Sequence, residues 1–317
     1  MLAPQRKRRS SNELDVKTKL AIEEFRMNRR KNPLIIAAAL ALAIALGTTA
    51  QPSEAGERVP LAKVSHIHGI AVDPADPQRL YLATHYGVWL TSPDGTAERI
   101  SDNDNDYMGF SPHPSEAATF FASGHPSNGG NMGVIVSKDG ARTWQPLADG
   151  IEGPVDFHAM DVSAADPNVV YGLYGSVQVS RDAGKSWTVV GSPSADVFDL
   201  AASAVNPDIV YAATRNGLIA SFDGGKTWKA AGTEGKPASM VETAPDGTVY
   251  AFVLGSGLVK APAAALAWQP VVNTFGEQIL LHMAFDPANP KRMFAVTEKS
   301  KILTSTDGGK SWAAMSS

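Results

Sequence analysis

Four short stretches of this 317-residue chain are nearly the same. Ser221-Phe222-Asp223-Gly224-Gly225-Lys226-Thr227-Trp228 recurs as Ser305 to Trp312 and as Ser180 to Trp187. Ser137 to Trp144 keeps the pattern, with Ala141 in place of the second glycine. The shared form, Ser-x-Asp-x-Gly-x-Thr/Ser-Trp, is that of a tight hairpin. The carboxylate accepts hydrogen bonds from nearby backbone N–H groups, glycine permits a positive φ, and tryptophan packs the following strand. Turn chemistry accounts for every position, so Asp139, Asp182, Asp223 and Asp307 are read as structural.

The spacing matters more than the motif. Two worn copies, Ser92-Pro93-Asp94-Gly95 and Ala261 to Trp268, fill the gaps, and successive copies then stand 45, 43, 41, 40 and 44 residues apart. A second signal keeps the same period: apolar strands carry an aromatic at Tyr81, Phe121, Tyr171, Tyr211, Tyr250 and Phe294. Most follow turns such as Asp76-Pro77, Asp166-Pro167, Asn206-Pro207 and Asn289-Pro290. Each unit reads strand, Pro-containing turn, strand, loop, strand, hairpin, strand. Four short antiparallel strands repeated at this period form a propeller blade, and a blade buries its faces only against neighbours. The expectation is an all-β, six-bladed β-propeller over residues 59–317, monomeric, closed by Val59 to Val64 lying beside the short last strand after Trp312.

The amino-terminal part is of another kind. Residues 1–33 hold ten lysines and arginines against four acids, whereas the rest holds 18 against 28. Arg29-Arg30-Lys31 precede an apolar run from Leu34 to Leu46, then Gly47-Thr48-Thr49-Ala50. Basic, apolar and small residues in that order read as a secretory signal, or, kept uncut, as a single membrane anchor helix. Residues 1–33 are then a basic cytoplasmic region, 34–50 the signal or anchor, and 51–58 a linker. Met27 is an alternative start. The propeller is expected outside the cytoplasm, secreted or membrane-tethered. Its acidic balance argues against nucleic acid as a partner, and the absence of cysteine excludes disulfides, thiol nucleophiles and thiolate-bound zinc.

Blade order assigns residues to ends of the ring. With strands a to d running outward from the axis, the b–c loop and the start of strand a share one end, and the repeated hairpin lies at the other. Counting thirteen residues back from the strand-b aromatic gives His68, Met108, His158 and Phe198; His66 lies two residues before His68, and His282 beside the sixth-unit position, Leu281. Counting four forward gives His85, His125, Gly175, Arg215, Leu254 and Glu298. Six of the seven histidines therefore gather at one rim, and His113 alone falls at the other. Asp106, in the run Asp102-Asn103-Asp104-Asn105-Asp106, and Asp156 belong to the same rim. That run lacks the glycine and late glutamate of a calcium loop and reads as solvated. His66 and His68, two apart on a strand, are expected to point the same way. With His85, His125 and His158 they offer imidazoles suited to zinc or copper, and Met108 biases the set towards copper. The partner is an unidentified ligand, protein or glycan at this face. The bland alternative is channel histidines satisfied by carbonyls.

The hairpin copies resemble the Asp-box, or BNR, repeat of bacterial sialidases and related propellers. His66-Ile67-His68-Gly69, Met108-Gly109-Phe110 and Asp156-Phe157-His158 are similar to strings in exported sialidase-like propellers labelled glycosyl hydrolases. The resemblance covers residues 59–317 and implies fold more than activity. A sialidase of this kind needs three arginines, a Tyr–Glu nucleophile pair and an Asp acid/base. Arg58-Val59-Pro60 is a poor match to the family's Arg-Ile-Pro opening, and of the seven arginines after residue 50 only Arg215 falls clearly at the candidate end. A glycoside hydrolase using two other carboxylates is the competing reading, with Asp106, Asp156, Asp199 and Glu298 as candidates.

Overall fold

In the computed structural model, which describes residues 56–263 and 265–315, six antiparallel sheets follow one another along the chain. Their innermost strands are Ile67–Val72, Asp106–Pro112, Ala159–Val162, Val197–Ala202, Ala238–Thr243 and Leu280–Phe285. Each lies beside the next, and the sixth lies beside the first, which closes the six-bladed ring. Apolar clusters fill the seams, and the one between blades 4 and 5 is made mostly of small side chains. There Ala201, Ala213 and Ala220 meet Val241, Val249 and Ala251. Small and β-branched residues suit a seam in which two pleated faces approach closely.

The repeated hairpins are held by one set of bonds. Ser221 Oγ donates to Asp223 Oδ1 at 2.8 Å and accepts the Gly225 N–H at 2.8 Å. Asp223 accepts the Thr227 N–H at 2.9 Å and the Thr227 hydroxyl at 2.7 Å. The copies at Asp139, Asp182 and Asp307 repeat the pattern. Trp228 Nε1 donates to the Gly225 carbonyl at 3.0 Å, which pins the indole over its own turn. The worn fifth copy differs: Trp268 donates to Ala231 of the preceding blade at 2.5 Å. Both central residues of a full turn have positive φ, 75° and 87° at Gly224 and Gly225. Ala183 at 58° and Ala141 at 62° take the same conformation at a cost of about 1–2 kcal/mol each.

Closure differs from the sequence expectation. Arg58–Pro60 pairs with Thr96–Arg99, with Val59 opposite Ala97, as a fifth strand on the outer edge of blade 1. The last blade supplies its own outer strand, Ala313–Ala314, paired to Leu303 and Thr304. The amino-terminal strand therefore joins the first sheet and not the last. A short 3-10 turn, Leu61–Lys63, follows, and Leu61 and Val64 pack with Phe294, Ile302 and Met315 across the junction. The signal or anchor, the basic region and the alternative start at Met27 lie outside the described residues. Among the described residues no helix is long and apolar enough to cross a membrane.

These turns generate a paired expectation for equilibrium urea unfolding. Ala183→Gly relieves the backbone and raises stability by about 0.5–1 kcal/mol. Ser221→Ala leaves the buried Gly225 N–H without its acceptor and lowers stability by about 1–3 kcal/mol.

Candidate functional site

Three local devices aim side chains at the channel mouth. Strand a of blades 1 and 2 is bulged near its start, the register shifting between Ile67 and Gly69 and between Tyr107 and Phe110. A bulge re-aims the extra residue, here His68 and Met108, both of which line the channel. Thr84 Oγ accepts the Tyr86 N–H at 3.0 Å and donates to the Gly87 carbonyl at 2.9 Å, fixing a tight turn with His85 at its tip. In blade 2, Asp106 stands opposite His125 on paired strands. That pairing requires Gly124, because a Cβ there would sit 2.0 Å from the Asp106 carbonyl oxygen.

Four of the rim histidines form two clusters, each with a carboxylate. In the first, His85 Nδ1 lies 2.6 Å from Asp106 Oδ2, and His68 Nε2 lies 3.8 Å from Asp106 Oδ1. Both His68 Nε2 and Asp106 Oδ1 are buried, and neither has a hydrogen-bond partner among the described residues. Burial, and then His85, His282, His158 and His66, hold His68 well below the usual imidazole range, so it is neutral. In the second cluster, Asp156 Oδ2 receives His125 Nε2 at 3.0 Å and His158 Nε2 at 2.5 Å. His125 Nδ1 lies 2.7 Å from the Gly130 carbonyl, which only accepts, so Nδ1 carries a proton. The bond to Asp156 pushes His125 up to about 9, against the effect of burial. Burial opposes ionisation of Asp156, but the bonds from His125 and His158 hold its carboxyl well below the usual range. In each cluster the three donor atoms lie within 4.8 Å of one another.

The single six-residue set expected from the sequence is therefore divided. His66 does not share a strand face with His68: it precedes the strand with φ at 54°, and its ring stacks obliquely 4.8 Å from that of His85. Met108 lines the channel. Glu298 accepts the Ile279 N–H at 2.9 Å and ties its loop to the start of the blade's innermost strand. The acidic run is braced rather than merely solvated: buried Arg99 donates to the Asn103 carbonyl at 2.7 Å, and Tyr107 to the Asn103 side chain at 2.9 Å. The arginines do not converge. Arg215 pairs with Asp196 at 3.4 Å, Arg292 with Asp286 at 3.3 Å, and Arg181 with Asp208.

Deeper in the channel, of about 520 Å³, lie acids that the residue counting missed apart from Asp199. Asp161 accepts the Ser111 hydroxyl at 2.9 Å and the Ala202 N–H of the next blade at 2.8 Å. Asp199 accepts the N–H groups of Leu200 and, across the seam, Val241, both at 3.0 Å. Ser239 donates to the Leu280 carbonyl at 2.6 Å, and His282 bonds the Ile67 backbone. These side chains lace the inner strand of one blade to that of the next. Burial raises Asp161 to about 6 and Asp199 to about 8, and with the charges of Asp161 and Asp199 it raises Glu242 well above the usual range. Burial lowers His282 to about 4. Both oxygens of Asp199 accept backbone N–H groups, and these bonds act against the burial that raises its pKa.

Fold, repeat and turn chemistry together define a six-bladed Asp-box β-propeller. A family model described as the BNR/Asp-box repeat matches residues 219–230, the hairpin around Asp223. No curated protein matches the chain in sequence. Among solved structures, a GH74 enzyme from Niastella koreensis superposes with a TM-score of 0.57 at 16% identity, covering 83% of this chain and 46% of that one. A GH74 xyloglucanase from Xanthomonas campestris gives 0.54 at 17%, covering 82% and 46%. A YCF48 structure bound to D1 peptide gives 0.52 at 14%, covering 83% and 86%. The chain spans about half the length of the GH74 chains it matches. At these identities the likeness is one of fold.

The raised Asp199 sets a sign for pH. A carboxyl protonated in the folded ring and ionised in the unfolded chain loses stability as pH rises from about 4 through its folded value near 8. Asp199→Asn keeps one acceptor and cannot ionise. Its melting temperature is expected to start lower at pH 6 and to fall less than the parent's between pH 6 and 8, read by thermal scans across that window.

Proposed function

We propose that this propeller is an extracytoplasmic binding or assembly protein whose channel mouth holds a zinc or copper ion through His68, His85 and Asp106. The supporting observation is the pair of buried, unpartnered atoms His68 Nε2 and Asp106 Oδ1, facing each other at 3.8 Å. Were a shared proton the intended link, the two would close to about 2.7–2.9 Å. Zinc-to-nitrogen and zinc-to-oxygen bonds of about 2.0–2.2 Å bridge the observed gap from a point between the atoms. His85 Nδ1, 2.6 Å from Asp106 Oδ2, belongs to the same group of close donor atoms. Three protein ligands leave a coordination position for a group brought by the partner, a side chain of a protein segment or an oxygen of a glycan.

Binding is favoured over hydrolysis by the same geometry. Asp106 and Asp156 are each engaged by histidine, Asp199 by backbone, and Arg215 and Arg292 by local acids. YCF48, a propeller of similar fold, is seen with a peptide bound. Export is supported by the basic, apolar and small order of residues 29–50.

The test is equilibrium dialysis of chelator-stripped protein against zinc or copper(II), with metal read by mass spectrometry. Tight uptake is expected, weakened at least about 10-fold by His68→Gln and by Asp106→Asn, with cooperative unfolding retained. Failure to take up either ion ends the proposal.

A further inference from the structure

Building on that metal reading, we infer that the mouth holds two ions, one in each of two neighbouring blade seams. The second is held by His125, Asp156 and His158. The two clusters are the same device moved on by one blade. His85 and His125 each stand four residues after the strand-b aromatic, Tyr81 or Phe121, His85 in the b–c turn and His125 as the last residue of its strand. Asp106 and Asp156 each stand two residues before the first channel-facing residue of the following blade, Met108 or His158. Each seam thus joins an imidazole from the end of strand b or its turn to the next blade's carboxylate. A strand-a imidazole completes each set, His68 from the leading blade in one and His158 from the following blade in the other. At the loop position the remaining blades carry Gly175, Arg215, Leu254 and Glu298, which supply no second imidazole. Among the described residues these two clusters are the groups of three imidazole and carboxylate side chains close enough to share an ion.

Two further features of the second cluster suit a ligand set. His125 commits Nδ1 to the Gly130 carbonyl, which turns Nε2 inward to Asp156 and His158, the outer bond that orients ligating histidines elsewhere. Asp156 is only 5% exposed, and its Oδ1 is buried without a hydrogen-bond partner among the described residues. An ion at the three-residue centre would take that oxygen or its neighbour. The two sites adjoin, because Asp106 of the first and His125 of the second are direct partners on paired strands, about 5 Å apart at Cα.

Stoichiometry separates this inference from the reading beneath it. Full-length protein is stripped with chelator; one portion is titrated with cobalt(II) as a visible probe, and another is loaded with zinc, desalted and assayed for bound zinc. Two zinc ions per chain are expected, with a cobalt break at two equivalents. Asp106→Asn, Asp156→Asn and His125→Gln are each expected to leave one; His125 is 40% exposed, so its replacement spares the core. One ion in the parent protein, lost with Asp106→Asn but retained with Asp156→Asn and His125→Gln, overturns the second site and leaves the first. No ion in the parent protein overturns both.

Discussion

The inner edge of each blade is the constraint on which this ring depends. Strand a has a hydrogen-bonded neighbour on one side only, so its other edge presents N–H and C=O groups to the channel. Side chains answer it. Asp161 reaches from blade 3 to blade 4, Asp199 from 4 to 5, Ser239 from 5 to 6, and Ser111 from 2 to 3. His282 reaches from blade 6 to blade 1. Between blades 1 and 2 the described residues provide no such bond between inner strands. There His68 and Asp106 face each other across 3.8 Å, and an ion would complete the series.

The same residue type does opposite work at the two ends of a blade. In the outer hairpins Asp182 is half-buried and Asp223 exposed, and bonds from Ser186 and Thr227 respectively lower their carboxyls to about 2. In the channel, burial lifts Asp199 to about 8 although it too accepts two backbone N–H groups. Solvent decides between them: the hairpin carboxylate keeps water beside its charge, whereas the channel carboxyl is crowded by protein and by Asp161.

Period and motif made the ring legible, because hairpins and aromatics at a constant spacing leave few other architectures. The rim was legible for the same reason: a strand-b aromatic is a ruler, and counting from Tyr81, Phe121 and Tyr171 finds His85, His125, Asp106, Asp156 and His158. The division of that rim into two clusters was not legible, since it depends on the bulge that turns His68 inward and on Gly124 admitting Asp106. His66 was misread because a left-handed residue before a strand leaves no mark in an alternation pattern. Asp161 and Glu242 escaped because the acid recurs in only two of the six equivalent positions opposite the aromatic, with Ser111 or alanine at the rest. Closure was misplaced because nothing in Arg58 to Val64 distinguishes an edge of the first sheet from an edge of the last.

That edge has a bearing on how the ring is made. Since every sheet here is built from consecutive residues, no leaf waits for the far terminus to complete it, and the order of synthesis can be the order of assembly. The final leaf then docks ready-formed against the first, clasped by side-chain packing of Leu61, Val64 and Met315 and by the Ser300 hydroxyl on the Ile67 N–H. A ring clasped in this way, with no strand exchanged across the joint, has one natural parting line.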